Sequence, residues 1–253
     1  MRYFIKLSYQ GTNYNGWQIQ KNTPRTVQQV MNLSLSKLLN EKIEFTGCGR
    51  TDTGVHAREF YAHFDSIKNN LHINPMEWLC KFNMVLPVDI AVKEIVAVKS
   101  DAHARFGAVS RSYEYIINRK RDPFLLNRAY YLYQPLSLEL MNEAAKMLFE
   151  YDDFSCFSKS NTQVKTNLCR IIEANWKEAD NLLMFTITAN RFLRNMVRAI
   201  VGTMIDVGKE KISLDDFRKI IESKNRSDAG FSVPADGLYL VKVQYPIEII
   251  PKS

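Results

Sequence analysis

The chain has 253 residues, of which 46% are hydrophobic and 24% are charged. This composition is too apolar for a disordered protein and predicts a globular one with a substantial core. Its 34 Lys and Arg outnumber its 27 Asp and Glu, giving a net charge of +7. That balance suits a polyanionic partner, and it equally suits a housekeeping protein whose charges are scattered for solubility.

The cysteines and the hydrophobic runs indicate the compartment. The four cysteines, Cys48, Cys80, Cys156 and Cys169, lack the paired spacing of a zinc site or a disulfide framework. No run approaches the roughly 20 apolar residues of a membrane span, and the first residues do not resemble a signal peptide. We therefore expect a soluble cytoplasmic protein with free thiols and no membrane association.

Hydrophobic periodicity in the first half of the chain predicts four strands and two helices. Arg2–Tyr9 alternates as a strand, and Thr26 with Gln29 forms a capping-box pattern before a helix. The apolar face of that helix is predicted to hold Val27, Val30, Met31, Leu35 and Leu38. The elements that follow are strands 43–49 and 59–64, a helix opened by Asn74 and Pro75, and strand 90–98. The order is β-α-β-β-α-β, which is typical of a ferredoxin-like unit.

A similar order recurs after a non-periodic stretch at residues 100–107. The predicted elements are strand 110–118, a helix from Ser137, a hairpin of 171–176 with 182–188, a helix capped by Asn190 that ends before Gly208, a helix opened by Ser213 and Asp216, and strand 238–243. We therefore predict an α+β fold of two ferredoxin-like halves, residues 1–105 and 106–253. A combined, mainly antiparallel sheet and a central cleft are expected.

The segment 46–57, TGCGRTDTGVHA, joins two predicted strands and is the most informative stretch. Gly47, Gly49 and Gly54 surround Arg50 and Asp52, so the backbone can approach a ligand closely while a carboxylate projects from the loop. An Asx turn, in which Asp52 bonds its own backbone, explains the same residue equally well.

Four motifs in the right order resemble the TruA family of tRNA pseudouridine synthases. They are GRTDTGVHA at 49–57, RSYEY at 111–115, FLRNMVR at 192–198 and GLYL at 237–240. The first motif is highly specific, whereas the tyrosine and C-terminal motifs alone are weak. Thr53 stands where the family usually has alanine, and no effect is expected because it adjoins the aspartate without replacing it.

The resemblance implies an activity and a substrate. It implies an isomerase that detaches uracil from ribose at N1, turns the base and rejoins it through C5. The implied targets are uridines 38, 39 and 40 in the anticodon stem-loop of tRNA, and the implied assembly is a homodimer. The reaction is redox-neutral, so no cofactor and no metal is expected.

The resemblance also assigns roles to three residues. Asp52 is implied to be catalytic, as a nucleophile or as a base. Arg198 is implied to pair with it, which opposes the effect of desolvation on the carboxylate. Tyr113 is implied to pack on the target nucleotide, although a strand tyrosine is more often a core residue.

Other basic residues are weaker candidates. Arg50 suits the space that a flipped base vacates, the phosphate of that base, or a surface contact with solvent. Arg191, Arg194 and Arg198 recur at helical spacing, which predicts a basic stripe beside an apolar helix face. Phosphate contacts are expected among the basic residues Arg105, Arg119, Lys120, Arg121 and Lys159, each of which also suits a solvated loop.

Three other kinds of site fit the sequence less well. The absence of a base-stacking aromatic residue from segment 46–57 argues against a non-catalytic RNA-binding module. Metal-dependent hydrolysis is opposed because His56, His63, His72 and His103 do not have a ligand spacing. A phosphate-binding loop at Gly202 and Gly208 fails because Glu210 stands where a hydroxyl is needed.

Overall fold

The computed structural model describes residues 1–21, 23, 25–159 and 166–250. The chain falls into two compact units, one formed by Met1–Val109 with the segment from Leu240, and one formed by Ser110–Tyr239. The functional domains predicted at 1–105 and 106–253 stay a prediction. The fold is mixed, with five helices and mostly antiparallel strands among the described residues.

The first unit follows the predicted β-α-β-β-α-β order. Its elements are β1 (Arg2–Tyr9), α1 (Val27–Leu39), β2 (Thr46–Gly47), β3 (His56–Asp65), α2 (Pro75–Val85) and β4 (Ile90–Val98). β1 lies between β3 and β4 and is antiparallel to both, while β2 pairs with β3. Five consecutive residues of β3, from Phe60 to Phe64, are buried, so both faces of this strand are covered. β3 positions the candidate loop, which precedes it directly.

The helix starts of the first unit match the sequence. The Thr26 side chain accepts a hydrogen bond from the Gln29 backbone N–H, and α2 has a proline in its first turn. The buried face of α1 holds Val27, Met31, Leu35 and Leu39. Leu39 is therefore buried where Val30 and Leu38, predicted for the same face, are only half-buried.

The predicted strand at 43–49 is wrong in its length, because only Thr46–Gly47 is a strand. The Ile43 N–H donates to Ser36 Oγ at 2.8 Å, and the Phe45 N–H donates to Asn32 Oδ1 at 3.0 Å. Side chains of α1 therefore satisfy backbone donors that a strand would give to its neighbour. Sequence periodicity cannot reveal this competition.

The second unit contains four strands and three helices, and one further strand begins in it. They are β5 (Ser110–Asn118), β6 (Tyr130–Tyr131), α3 (Leu138–Met147), β7 (Ile171–Ala179), β8 (Leu182–Ala189), α4 (Met196–Gly208), α5 (Leu214–Ser223) and β9 (Leu238–Gln244), of which β9 continues into the first unit. β8 lies between β5 and β7 and is antiparallel to both. The short β6, which the sequence did not predict, is parallel to β5.

Three local predictions for this unit are confirmed. Ala179 pairs with Leu182 across a two-residue turn in which Asp180 has a φ of 54°. Ser137 caps α3, and Ser213 with Asp216 forms a complete capping box on α5.

The predicted start of α4 is wrong. The helix begins at Met196, after Asn195 in the left-handed region, and it includes Gly208. Asn190 instead extends the pairing of the strands, because its N–H donates to the Arg170 carbonyl and its Oδ1 accepts the Arg170 N–H at 2.8 Å. Arg191 and Arg194 precede the helix, so the predicted basic stripe reduces to Arg198.

No helix among the described residues is long and apolar enough to cross a membrane.

Candidate active site

Asp52 lies on a loop of the first unit, and hydrogen bonds of the residue before it fix the position of that loop. The preceding residue, Thr51, is buried, and its Oγ1 lies 2.8 Å from the Tyr9 hydroxyl. The Thr51 carbonyl accepts the Trp17 N–H at 3.2 Å, and the Asp52 carbonyl accepts the Val55 N–H at 3.2 Å. Asp52 itself is half-buried. Its backbone is therefore fixed by β1 and by a turn that its own main chain closes.

A second segment, Gly11–Trp17, packs against this loop at backbone contact distance. A Cβ on Gly11 would lie 2.0 Å from the Val55 carbonyl oxygen, and one on Gly16 would lie 2.4 Å from that of Thr51. Gly16 also has a φ of +80°. Sequence reasoning interpreted this region only as the end of β1. The available signal was a pair of glycines five residues apart, followed by a tryptophan.

The glycines of the loop have different roles. A Cβ on Gly47 would lie 2.5 Å from Trp17 Nε1, and Trp17 itself stacks on Phe60 with ring centroids 4.1 Å apart. Gly54 has a φ of +83°. No atom lies within 4 Å of a Cβ built on Gly49. Close approach therefore requires glycine at position 47, and the positive φ favours glycine at position 54, whereas position 49 has room for a side chain.

Two other residues of the loop region have defined places. Arg50 is exposed, two residues before Asp52. His56 is buried, and its Nδ1 accepts the Gly11 N–H at 3.0 Å. This nitrogen therefore links β3 to the Gly11–Trp17 segment. Among the described residues, no three His, Cys, Asp or Glu side chains are grouped as metal ligands.

Tyr113 is a half-buried residue of β5 in the second unit. Its ring contacts the Phe192 ring edge to face, with centroids 5.1 Å apart and an interplanar angle of 89°. Phe192 lies in the segment between β8 and α4. This contact favours one tilt of the tyrosine ring.

Tyr115 lies on the same face of β5, two residues further along the strand. It is fully buried, and its hydroxyl donates to the Pro234 carbonyl at 2.9 Å. Burial raises the pKa of Tyr115 well above its usual range, so the hydroxyl remains a neutral donor. It thereby holds the segment that precedes β9.

Arg198 is the third residue of α4, and that same segment fixes its position. Its Nε donates to the Val233 carbonyl at 2.7 Å, and its own carbonyl accepts the Val233 N–H at 3.2 Å. A Cβ on Gly202, one turn later, would lie 1.8 Å from the Phe231 carbonyl oxygen. The segment 231–233 therefore lies directly on the helix and restricts the guanidinium plane.

The other predicted basic residues lie at the surface. Four of them are exposed, namely Arg105, Lys120, Arg121 and Lys159, while Arg119 is half-buried. Arg119 Nη1 is a buried atom without a hydrogen-bond partner in the described part of the chain. The side chains of all five residues remain candidates for phosphate contacts.

The structure places the four predicted site residues in two groups. Asp52 and Arg50 share one loop of the first unit, and Tyr113 and Arg198 lie on β5 and α4 of the second unit. The predicted ion pair of Asp52 with Arg198, and the cleft that it requires, stay predictions.

Comparisons with known proteins agree over nearly the whole chain. A family model described as "tRNA pseudouridine synthase" matches residues 6–107 and 144–246. A tRNA pseudouridine synthase A of Bacteroides fragilis is 50% identical over 249 residues, which cover 98% of each chain. That of Parabacteroides distasonis is 50% identical over 99% of this chain and 98% of its own. A more distant one, from Clostridium acetobutylicum, is 41% identical over 95% of this chain and 98% of its own.

Proposed function

The chain belongs to the tRNA pseudouridine synthase family, and on that premise we propose that it isomerises uridine to pseudouridine in tRNA. The observation that carries this proposal is the full-length similarity to these synthases, which includes the loop of Asp52. The rigid main chain around Asp52 supports it further, because a catalytic group needs a fixed position.

Asp52 is the proposed catalytic carboxylate. The reaction breaks the bond between uracil N1 and the ribose and forms a bond from the ribose carbon to C5. The proton on C5 goes to solvent, and N1 gains a proton. A carboxylate assists either by adding to the nucleotide or by removing a sugar proton. Its half-buried position suits both roles, since a bound nucleotide would complete its desolvation.

Arg198 is proposed as the positioning partner of Asp52. Its Nε is engaged with the Val233 carbonyl, which sets the plane in which the remaining guanidinium donors lie. A planar cation in a fixed plane can bind a carboxylate through two parallel hydrogen bonds. In this proposal the pair holds the Asp52 carboxylate in a fixed orientation when bound RNA excludes water.

Tyr113 and Arg50 are proposed to contact the substrate. The edge-to-face contact with Phe192 favours one tilt of the Tyr113 ring, which suits stacking on a flipped nucleotide. Arg50 is exposed on the loop of Asp52, so it can reach a phosphate or the space that the flipped base leaves.

The finer parts of the proposal concern the substrate position and the assembly. We propose that the targets are uridines 38, 39 and 40 of the anticodon stem-loop, and that the enzyme is a cytoplasmic homodimer. The resemblance of the four motifs supports these points, and the net charge of +7 suits a tRNA substrate.

Release of tritium from tRNA labelled at uracil C5 tests the proposed function. We expect release by the wild-type protein, and none from a transcript in which cytidine replaces uridine at positions 38, 39 and 40. Asp52→Asn should reduce release to background while tRNA binding survives, and Thr53→Ala, at an exposed neighbouring position, serves as the matched control. Wild-type binding without release would support a non-catalytic RNA-binding module instead.

A further inference from the structure

A loop of the second unit exposes basic and aromatic side chains close together in sequence. It leaves β5 at Asn118 and returns at β6. Three cations of the loop are exposed and form no ion pair within the described part of the chain. Three aromatic residues are exposed as well, at 86% for Phe124, 47% for Tyr131 and 70% for Tyr133. The β5–β6 loop surface is defined by these six residues, Lys120, Arg121, Phe124, Arg128, Tyr131 and Tyr133.

Main-chain contacts fix the shape of this loop. The Asp122 side chain accepts the Phe124 N–H at 2.9 Å at the start of a 3-10 turn. The Tyr239 hydroxyl donates to the Arg128 carbonyl at 2.7 Å, and Tyr131 pairs with Asn118 of β5. The exposed rings therefore stand on an ordered backbone, which lowers the entropy cost of binding.

The strand pairing brings the charged and the aromatic parts together. Lys120 follows Asn118 by two residues, and its N–H donates to Asn118 Oδ1 at 3.2 Å. Tyr131 is the strand partner of Asn118, and paired strands lie about 4.8 Å apart. The cations at the start of the loop are thus neighbours of the tyrosines at its end.

The two tyrosines form one aromatic patch. Leu132 between them is buried, and its N–H donates to the Asn118 carbonyl at 3.0 Å. Residues on either side of it in an extended segment project to the same side. The rings of Tyr131 and Tyr133 accordingly lie 6.3 Å apart between centroids.

Cations beside exposed rings match the chemistry of a nucleic-acid strand, whose phosphates bind cations and whose bases stack on aromatic faces. We infer that the β5–β6 loop surface binds a part of the tRNA away from the target uridine, with its cations at phosphates and its rings against unpaired bases. An apolar protein partner would leave the three cations without counterions. The inference rests on the proposed tRNA substrate.

The position of the surface on β5 determines what it affects. Asn118 lies five residues beyond Tyr113 on the same strand, which is about 17 Å at the rise of a β-strand. A group at that distance does not touch the nucleotide that Tyr113 contacts. The surface therefore contributes to tRNA affinity and not to the chemical step.

Two exposed phenylalanines of the second unit allow a matched test. Phe124 and Phe149 each lie in a 3-10 turn, exposed at 86% and 50%. With an unmodified tRNA transcript, we expect Phe124→Ala to raise both Kd and KM about tenfold and to leave kcat unchanged. Phe149→Ala should change none of the three constants.

A second pair of variants tests the phosphate contacts. Arg121→Gln should lower the slope of log Kd against log salt concentration by about 0.7 to 0.9, because one fewer counterion is released. Lys177→Gln, an exposed cation on β7, should leave that slope unchanged.

A wild-type Kd for tRNA in Phe124→Ala would overturn the inference. If that variant also showed altered self-association, the surface would be a protein interface. Failure of the proposed function gives a different result, namely wild-type binding without tritium release, and the Kd comparison still decides the inference in that case.

Discussion

The guanidinium of Arg198 shows how a single residue can be positioned by groups that take no part in the chemistry. Its Nε is held by the Val233 carbonyl, and Val233 is fully buried. A lysine at this position would keep the positive charge but lose the planar fork. The charge and the geometry of the proposed Asp52 partner can therefore be separated experimentally.

We predict that Arg198→Lys lowers kcat for tritium release by about 10- to 100-fold, which corresponds to the loss of one charged hydrogen bond. Binding of tRNA should change little, because the net charge is kept. Arg194→Lys is the matched control, since Arg194 is exposed and precedes the helix. A wild-type kcat in Arg198→Lys would contradict the proposal that the planar guanidinium of Arg198 positions Asp52.

At the scale of elements, the packing of segment 231–233 on α4 depends on a residue without a side chain. A Cβ on Gly202 would lie 1.8 Å from the Phe231 carbonyl oxygen, whereas a Cβ on Gly49 meets no atom within 4 Å. Alanine in the interior of a helix is intrinsically favoured over glycine by about 1 kcal/mol. The steric clash exceeds that gain, because backbone must move to relieve it.

We predict that Gly202→Ala lowers the free energy of unfolding by about 1 to 3 kcal/mol, whereas Gly49→Ala stays within about 0.5 kcal/mol of the wild type. Urea unfolding of both variants measures the difference. The kcat of Gly202→Ala should also fall, because the displaced segment carries the acceptor of Arg198 Nε. Equal urea midpoints for the two variants would show that segment 231–233 can move away from α4 without lowering the free energy of unfolding.

Helix starts that are fixed by contacts between residues close in sequence could be predicted from the sequence. The caps at Thr26, Ser137 and Ser213 follow from side chains that bond the backbone three residues later. The wrong predictions, the length of β2 and the start of α4, have causes that are distant in sequence. Side chains of Ser36 and Asn32 in α1 accept the backbone N–H groups of segment 43–45. The Asn190 side chain accepts the N–H of Arg170. No local pattern in the sequence reveals partners that only the tertiary fold brings near.

The candidate site divides in the same way. The sequence singled out the loop of Asp52 because glycines and a carboxylate were close together in one short segment. Only the resemblance of that segment to the family motif assigned the catalytic role to Asp52, and this role stays a prediction. It did not reveal the Gly11–Trp17 segment, whose contacts with Thr51 and Val55 join residues about 40 positions apart. It also did not reveal the hydrogen bond from Arg198 Nε to the Val233 carbonyl. Close approach between separate segments leaves little periodic signal in a single chain.

At the scale of the whole molecule, we expect the stability of the fold in acid to depend on His63, which like His56 is a buried histidine of the first unit. His63 is 6% exposed on β3, and its Nδ1 accepts the Ala104 N–H at 3.1 Å. Its ring stacks on Phe4 and meets the edge of His103, with centroids 4.8 Å apart. Burial, together with Arg2 and His103, lowers the pKa of His63 to about 4, although Asp65 opposes the shift.

The direction of the pH effect follows from proton linkage. The unfolded chain binds a proton at this histidine near pH 6.5, whereas the folded chain binds it only near pH 4. Between these values the unfolded state holds more protons, so the free energy of unfolding falls as the pH falls through this window. Asp65, whose pKa is lowered chiefly by its hydrogen bond to Arg2, also loses its stabilising contribution as the pH falls, but mainly towards and below its usual value of 3.8. Most of the loss through His63 comes at higher pH.

We predict that the free energy of unfolding drops by up to about 3 kcal/mol between pH 7 and pH 4 through His63. His63→Gln should flatten most of this drop, since the amide oxygen can still accept the Ala104 N–H but cannot titrate. A residual slope is expected from His103, whose pKa burial also lowers. His72→Gln, at an exposed position, should keep the wild-type slope. Urea unfolding at intervals from pH 7 to pH 4 measures these slopes, and an equal slope in His63→Gln and the wild type would place the acid sensitivity elsewhere in the molecule.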